Sequence, residues 1–309
     1  MAFISRCRAF LIVFAVLPLA GCLFRSRIVE RQVSTAPLKT ATQAELIDYI
    51  NNQAAAVHSM QATVDIDASS GGENKGQITD YKEIRGYVLA RKPAMLRMIG
   101  LMPIVRNKAF DMVSDGSNFK LWIPPKNRFV EGRNDVGVPN ANQPLENLRP
   151  QHIYDALLLR EIDPQNEIAV MRSDVELVAG PKGRTYEQPD YVIEILSKGD
   201  RGWYLSRQIV FSRTDLLPHR QIVNDAAGKA ATDSRYEAYK DYNGIEFPNQ
   251  IEIKRPQEEY DITLNIVKLQ LNEALTNDQF QLEQPAGAEI VHLGRAQASQ
   301  MRPDGEETK

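Results

Sequence analysis

Chemistry in a protein chain needs nucleophiles, bases or metal ligands that can meet, and this sequence spreads them thinly. Its four histidines, His58, His152, His219 and His292, are widely separated, and none stands at metal-ligand spacing from another histidine or a cysteine. Asp65 and Asp67 lie two residues apart, which on a strand makes one solvated face rather than an acid–base pair. Ser114 is followed by Asp115-Gly116 and lacks the glycine pattern of a nucleophile elbow. The expectation is a protein that is not an enzyme, with no catalytic residue, no metal and no cofactor.

Cys7 and Cys22, the two cysteines, both fall at the N-terminus. There MAFISRCR is followed by the apolar AFLIVFAVLPLA and by Gly21-Cys22, a basic, apolar and small-residue layout that reads as an export signal. The apolar run falls short of the roughly 20 residues that a transmembrane helix needs. Leu19-Ala20-Gly21-Cys22 resembles the lipobox of bacterial lipoproteins, in which the cysteine is acylated and becomes the first mature residue. The resemblance implies a signal peptide over 1–21 and lipid attachment at Cys22. With Cys7 removed and Cys22 acylated, no disulfide and no thiolate metal site remain. More than one acyl chain would hold the protein on a membrane. Leu23, rather than Asp, follows the cysteine, and lipoproteins of this kind usually continue to the outer membrane, facing the periplasm.

Removing 1–21 takes away Arg6 and Arg8, leaving 35 basic against 40 acidic residues. That balance excludes nucleic acid as a partner, which calls for a clustered basic surface. Residues 22–39 are polar and aperiodic, as a tether is, and 294–309 read as a disordered tail. The folded domain is therefore expected over 40–293.

It opens with a helix: Thr42-Gln-Ala-Glu45 is a capping box, and Leu46, Ile47, Ile50, Ala54 and Val57 recur at helical spacing. Strand alternation follows at 62–68, 84–91, 94–100, 109–114 and 119–123, then at 191–196, 203–213, 221–225, 235–242, 250–254 and 260–271. Asp115-Gly116 marks a hairpin turn. In the last strand the apolar parity changes at Val267, which predicts a β-bulge. A second helix is expected over 150–161, after an Asn- and Pro-rich loop. The sum is a mostly β, antiparallel meander.

Gly86-Tyr-Val-Leu-Ala-Arg-Lys-Pro93, Leu96-Arg97, Val113-Ser-Asp-Gly116, Leu121-Trp122 and Pro124, with Gly244-Ile-Glu-Phe-Pro248, Ile251-Glu-Ile253, Leu271-Asn272, Phe280 and Pro285-Ala-Gly287, resemble the LolA and LolB lipoprotein carrier and receptor family. The resemblance implies a curved, incomplete antiparallel β-barrel of about eleven strands, with helices closing an apolar cavity that binds acyl chains. It further implies a partner that is lipidated or a lipid, and a role in lipoprotein or lipid localisation. A structural lipoprotein that docks an envelope protein on the same sheet is the alternative.

Two roles follow from the resemblance. In the soluble carriers a basic residue just before the proline gates the lid, and here Lys92 stands there with Arg91 beside it. Lysine departs from the family's arginine, and the other reading is a solvated charge at a strand end. In the anchored receptors an exposed apolar residue occupies the next hairpin loop, which places Leu101 and Met102 at a tip that either touches a membrane or folds back onto the barrel end. Met95 and Ile99 are expected on the inner face, and Trp122 and Trp203 either line the cavity or sit in plain core.

Overall fold

The computed structural model describes residues 32–33, 37–72, 76–134, 149–179, 185–200 and 202–293. The expected signal peptide, Cys22, most of the tether and the 294–309 tail lie outside them. Helix α1 spans Gln43–Ala56 and α2 spans Pro150–Leu157. The first strands are β1 (Gln32–Val33), β2 (Ser59–Gly72), β3 (Gln77–Asp80), β4 (Ile84–Arg91), β5 (Met95–Leu101), β6 (Lys108–Ser114), β7 (Asn118–Ile123), β8 (Arg128–Arg133) and β9 (Glu167–Ala179). They continue as β10 (Thr185–Gly199), β11 (Gly202–Ser212), β12 (Pro218–Asn224), β13 (Ala230–Glu237), β14 (Lys240–Tyr242), β15 (Ile245–Phe247), β16 (Gln250–Arg255), β17 (Tyr260–Leu271) and β18 (Glu289–Leu293).

The chain forms two compact units. In the first, residues 1–35 and 176–188, β1 pairs in parallel with Tyr186 and Glu187. The second, residues 36–175 and 189–309, holds the site. Its sheet runs β10-β11-β12-β13-β16-β17-β2-β4-β5-β6-β7-β8-β18, with β3 on β2 and β9 on β10. Every pairing with a defined register along this path is antiparallel except the last, where β18 lies parallel to β8. Inward side chains from β13 at one side and β8 at the other, Tyr236 and Val130, join a single core. A flat sheet could not bring them together, so the sheet curls; its ends stay unpaired, and the barrel is incomplete as expected. The sheet exceeds the expected eleven strands because β3, β8, β9 and β18 carry too little alternation to read from sequence.

Local physics explains the elements. Glu45 N donates to Thr42 Oγ1 at 3.3 Å and Thr42 N donates to Glu45 Oε2 at 2.7 Å, which closes the capping box of α1. The bulge falls where the parity change put it, between Ile266 and Lys268, and leaves Val267 exposed. Helix α2 ends at Leu157, short of Glu161. The Arg207 guanidinium takes the carbonyls of Arg160 and Glu161, and the extended chain carries Leu158 into one core and Ile162 into another. The expected strand 235–242 breaks at Ala238, whose φ is 54°, into β13 and the small β14–β15 ribbon.

The helices divide the work of filling the concave side. Helix α1 lays Leu46 and Ile50 on Ile193, Ile195, Ile209 and Phe211 of β10 and β11. Helix α2 packs across β5, β6 and β16 and drives Ile153, Tyr154, Ala156 and Leu157 into the main core. It is a plug rather than an outer lid.

Candidate functional site

On β5 exposure alternates strictly, with Leu96, Met98 and Gly100 buried and Met95, Arg97, Ile99 and Leu101 only half-buried. Arg97 sets that phase. Its Nε and Nη2 donate to Asp111 at 3.0 and 2.8 Å on the convex face, so its even-numbered neighbours must point inward. Met98 pairs with Met112 of β6, and both line an apolar cavity of about 220 Å³ at one end of the curved sheet. Ile66, Phe110, Ile262 and Tyr260 complete its walls, and Ile153 of α2 closes its inner end.

A glycine pair shapes the wall. Gly86 and Gly100 face each other across β4 and β5. A Cβ on Gly100 would lie 2.4 Å from Phe110 Cε1 and 2.7 Å from Ile84 Cδ1, and one on Gly86 would lie 2.4 Å from Ile66 Cδ1. Only because both side chains are missing can these three apolar groups lie down against the sheet beside the cavity. The mouth is polar: Ser70 Oγ and Tyr81 OH are 3.2 Å apart, and Lys82 and Asp261 stand beside them.

The plug carries partly buried polar groups. Burial holds the Asp155 carboxyl up at about 6, where it accepts from Gln151 Nε2 at 2.8 Å. Burial, with Arg255 and Arg149 nearby, pushes His152 down to about 3.

Several expected positions are corrected. Met95 and Ile99 do not line the cavity, because Arg97 forces their parity onto the convex face. Trp122 packs on that same outer face against Val113, Phe129 and Leu282, and Trp203 is 47% exposed at the start of β11, so neither lines the cavity. Leu101 is not at the loop tip. It is the last residue of β5, paired with Arg85 and Lys108. Met102 is 38% exposed, while the true tip is Ile104 at 99% and Val105 at 61%.

Lys92 Nζ donates to the Ala54 carbonyl in the last turn of α1, and burial lowers its pKa. Arg91 turns away from the helices: Nη1 donates to the Leu275 carbonyl, Nη2 donates to Asn277 Oδ1, and the guanidinium stacks on Phe280 at 5.1 Å. Both stand at the end of the sheet opposite the cavity mouth, since the β4–β5 turn and the β5–β6 loop lie at opposite ends of β5. The residues that sequence reasoning missed are Met98, Phe110 and Ile104; the first was legible from Arg97, whose charge excludes it from the inner face.

Among the described residues no group of three or more histidine, cysteine or acidic side chains could hold a metal, and no helix is long and apolar enough to cross a membrane. Two histidine–carboxylate pairs occur among the described residues: His292 Nδ1 lies 3.7 Å from Glu131 Oε2, and His219 Nε2 of β12 lies 2.8 Å from Asp215 Oδ2 in the preceding turn, a pairing that outweighs burial and holds the His219 imidazole pKa above its usual value.

No protein-family model matches the sequence, and no curated protein matches it. Among solved structures the chain is similar to a LolA superfamily protein from Nitrosomonas europaea, at 13% identity over 79% of this chain and 99% of that one, with a TM-score of 0.47. It is also similar to a putative outer membrane lipoprotein-sorting protein domain from Vibrio parahaemolyticus, at 13% identity over 77% and 97%, TM-score 0.47. A DUF1329 family protein from Desulfovibrio piger matches at 13% identity over 77% and 95%, TM-score 0.45.

Proposed function

We propose that the protein is an envelope lipoprotein, anchored through Cys22, that accepts an acyl chain of a lipoprotein or another lipid in the cavity beside Met98 and Phe110, for localisation at the outer membrane. The cavity is the observation that carries the reading. Its walls are hydrocarbon and thioether, its mouth is polar, and an apolar hollow of this kind stays dry until an apolar ligand enters. At about 220 Å³ it exceeds the roughly 150 Å³ known to admit benzene. It falls below the roughly 300–1,000 Å³ of drug-sized sites, so it fits the end of one chain. Deeper entry requires Ile153 to withdraw with α2. Met98 and Met112, unbranched and polarizable, suit a wall that repacks around a ligand. Lys92 fastens α1, not the helix whose withdrawal would deepen the cavity. No chemistry on the ligand is needed.

Lipid analysis of the purified full chain by native mass spectrometry tests this. The wild type should carry about one non-covalent chain-bearing lipid. Ala68→Phe, which fills the mouth from a half-buried position, should cut occupancy at least tenfold with an unchanged melting temperature. A wild-type protein empty of lipid would overturn the reading. The docking alternative has one observation in its favour: the centre of the concave side is solid, filled by α2 and its partners.

A further inference from the structure

We propose that the convex face of the sheet carries a second site, a polar groove across β17, β2, β4 and β5 that binds an extended glycan chain bearing acetamido and carboxylate groups. The groove shares no lining residue with the apolar cavity, so the two sites stand or fall separately.

The pairing register sets two rows of outward side chains next to each other. In one row Gln270 stands opposite Gln61, and the row runs on across β4 to Arg97 of β5. In the other, Lys268 stands opposite Thr63, and Tyr87 follows on β4. Together they line a groove of about 270 Å³. The 3-10 turn Asn277–Phe280 walls one side, held by the bond from Arg97 Nη1 to the Gln279 carbonyl at 3.0 Å. One row further along the strands, the ion pair of Arg85 with Asp65 bounds the other side.

The β17 bulge makes this surface. Ile262, Leu264 and Ile266 point inward, and an unbroken strand would carry the same parity on to Lys268 and Gln270. The irregularity between Ile266 and Lys268 turns Leu269 to the core instead and sets Lys268 and Gln270 outward, against Thr63 and Gln61. Bulges re-aim side chains beside functional sites. Here one delivers an amide and an ammonium group to the groove.

These groups are unspent. Among the described residues Gln61 and Gln270 make no side-chain hydrogen bond, and Gln279 engages only its Oε1, with Thr276 N at 2.7 Å. A free carboxamide offers two donors and an acceptor, the complement of an acetamido group or of neighbouring sugar hydroxyls. Tyr87, 46% exposed, presents a ring face, and half-buried Leu89 and Ile99 present an apolar floor, for the C–H face of a pyranose. Of the two charged side chains lining the groove, Arg97 is neutralised by Asp111. Lys268 makes no ion pair among the described residues and calls for a carboxylate on the ligand.

Spacing separates a glycan from a peptide. Successive strands lie about 4.8 Å apart, close to the advance of one pyranose ring along an extended glycan, whereas a peptide strand rises only about 3.3 Å per residue and falls out of step with the rows. A glycan laid along the rows sets one ring over each strand.

The test uses the full chain carrying Cys22→Ser, so that no acyl anchor intervenes, and two soluble probes in titration calorimetry. Chitotetraose carries acetamido groups and no charge; the tetrasaccharide of alternating N-acetylglucosamine and N-acetylmuramic acid adds lactyl carboxylates. Both should bind, the acidic probe about fivefold tighter at low salt, and Lys268→Met should abolish that advantage. Gln61→Ala with Gln270→Ala should weaken both probes about tenfold at unchanged melting temperature, as two lost hydrogen bonds would. Ala68→Phe, which fills the mouth of the apolar cavity, should leave glycan affinity unchanged. No binding of either probe at millimolar concentration overturns the proposal, and so does unchanged affinity in the double alanine variant. If that variant loses melting temperature, the exposed Lys268→Met decides alone, and an acidic probe that keeps its advantage there refutes the site. Binding that requires the peptide stems of intact cell-wall fragments, absent from both probes, overturns it in favour of a peptide ligand.

Discussion

Asp111 is the least expendable charge near the site. Its side chain is fully buried, and it accepts two hydrogen bonds from Arg97 and one from Lys108 Nζ at 2.7 Å. Removing Asp111 leaves the mostly buried Arg97 guanidinium without its carboxylate, while Lys108 stays solvated. Asp111→Ala should therefore cost on the order of 3 kcal/mol, read as the shift of a chemical unfolding midpoint. The same cluster pins the parity of β5, so the variant should also lower lipid occupancy in proportion to its loss of Met98 order. Lys92 shows how far a single residue could be read. It holds the last turn of α1, while its neighbour Arg91 serves the C-terminal segment.

At the scale of one element, α2 holds two titratable groups that pull in opposite directions. His152 sits near 3, well below the roughly 6.5 of an unfolded histidine, so its contribution is complete above about 6.5 and is lost as pH falls towards 3. Asp155 sits near 6, above the roughly 3.9 of an unfolded aspartate, so its contribution is complete below about 3.9 and is lost as pH rises through 6. Against the wild type, His152→Gln should gain melting temperature as pH drops from 7.5 to 5. Asp155→Asn should gain as pH rises over the same interval. Parallel curves for either variant would mean that the group is not desolvated by the plug. Ionised at neutral pH, Asp155 weakens the seat of α2, the element that must move if a longer chain is to enter.

At the largest scale, the second unit is a curled sheet with a plugged centre and an apolar cavity behind a polar mouth, and the sequence carries a lipobox-like cysteine near its N-terminus. Cys22→Ser should move the protein from the membrane pellet to the soluble envelope fraction, followed by fractionation and immunoblotting; retention in the pellet would remove the anchor. This prediction is independent of the cavity, because the sheet and the attachment cysteine are separate parts of the chain.

What the sequence determined by itself was local. Thr42 and Glu45 announced α1, Asp115-Gly116 the β6–β7 turn, with Gly116 at φ 95°, and the parity change at Val267 the bulge in β17. These depend on neighbours a few residues apart. Strand β18 owes its existence to a parallel pairing with β8, Glu289 opposite Arg128, that no local pattern could signal. The cavity's walls could not be assigned from apolarity alone, since Met95, Ile99 and Trp122 are as hydrophobic as Met98 and Phe110. Which face closes on the core was decided by curvature and by the Arg97–Asp111 pair. The tertiary structure alone settled how much hollow remains, because free volume is the difference between what the curled sheet encloses and what Ile153 and its neighbours fill.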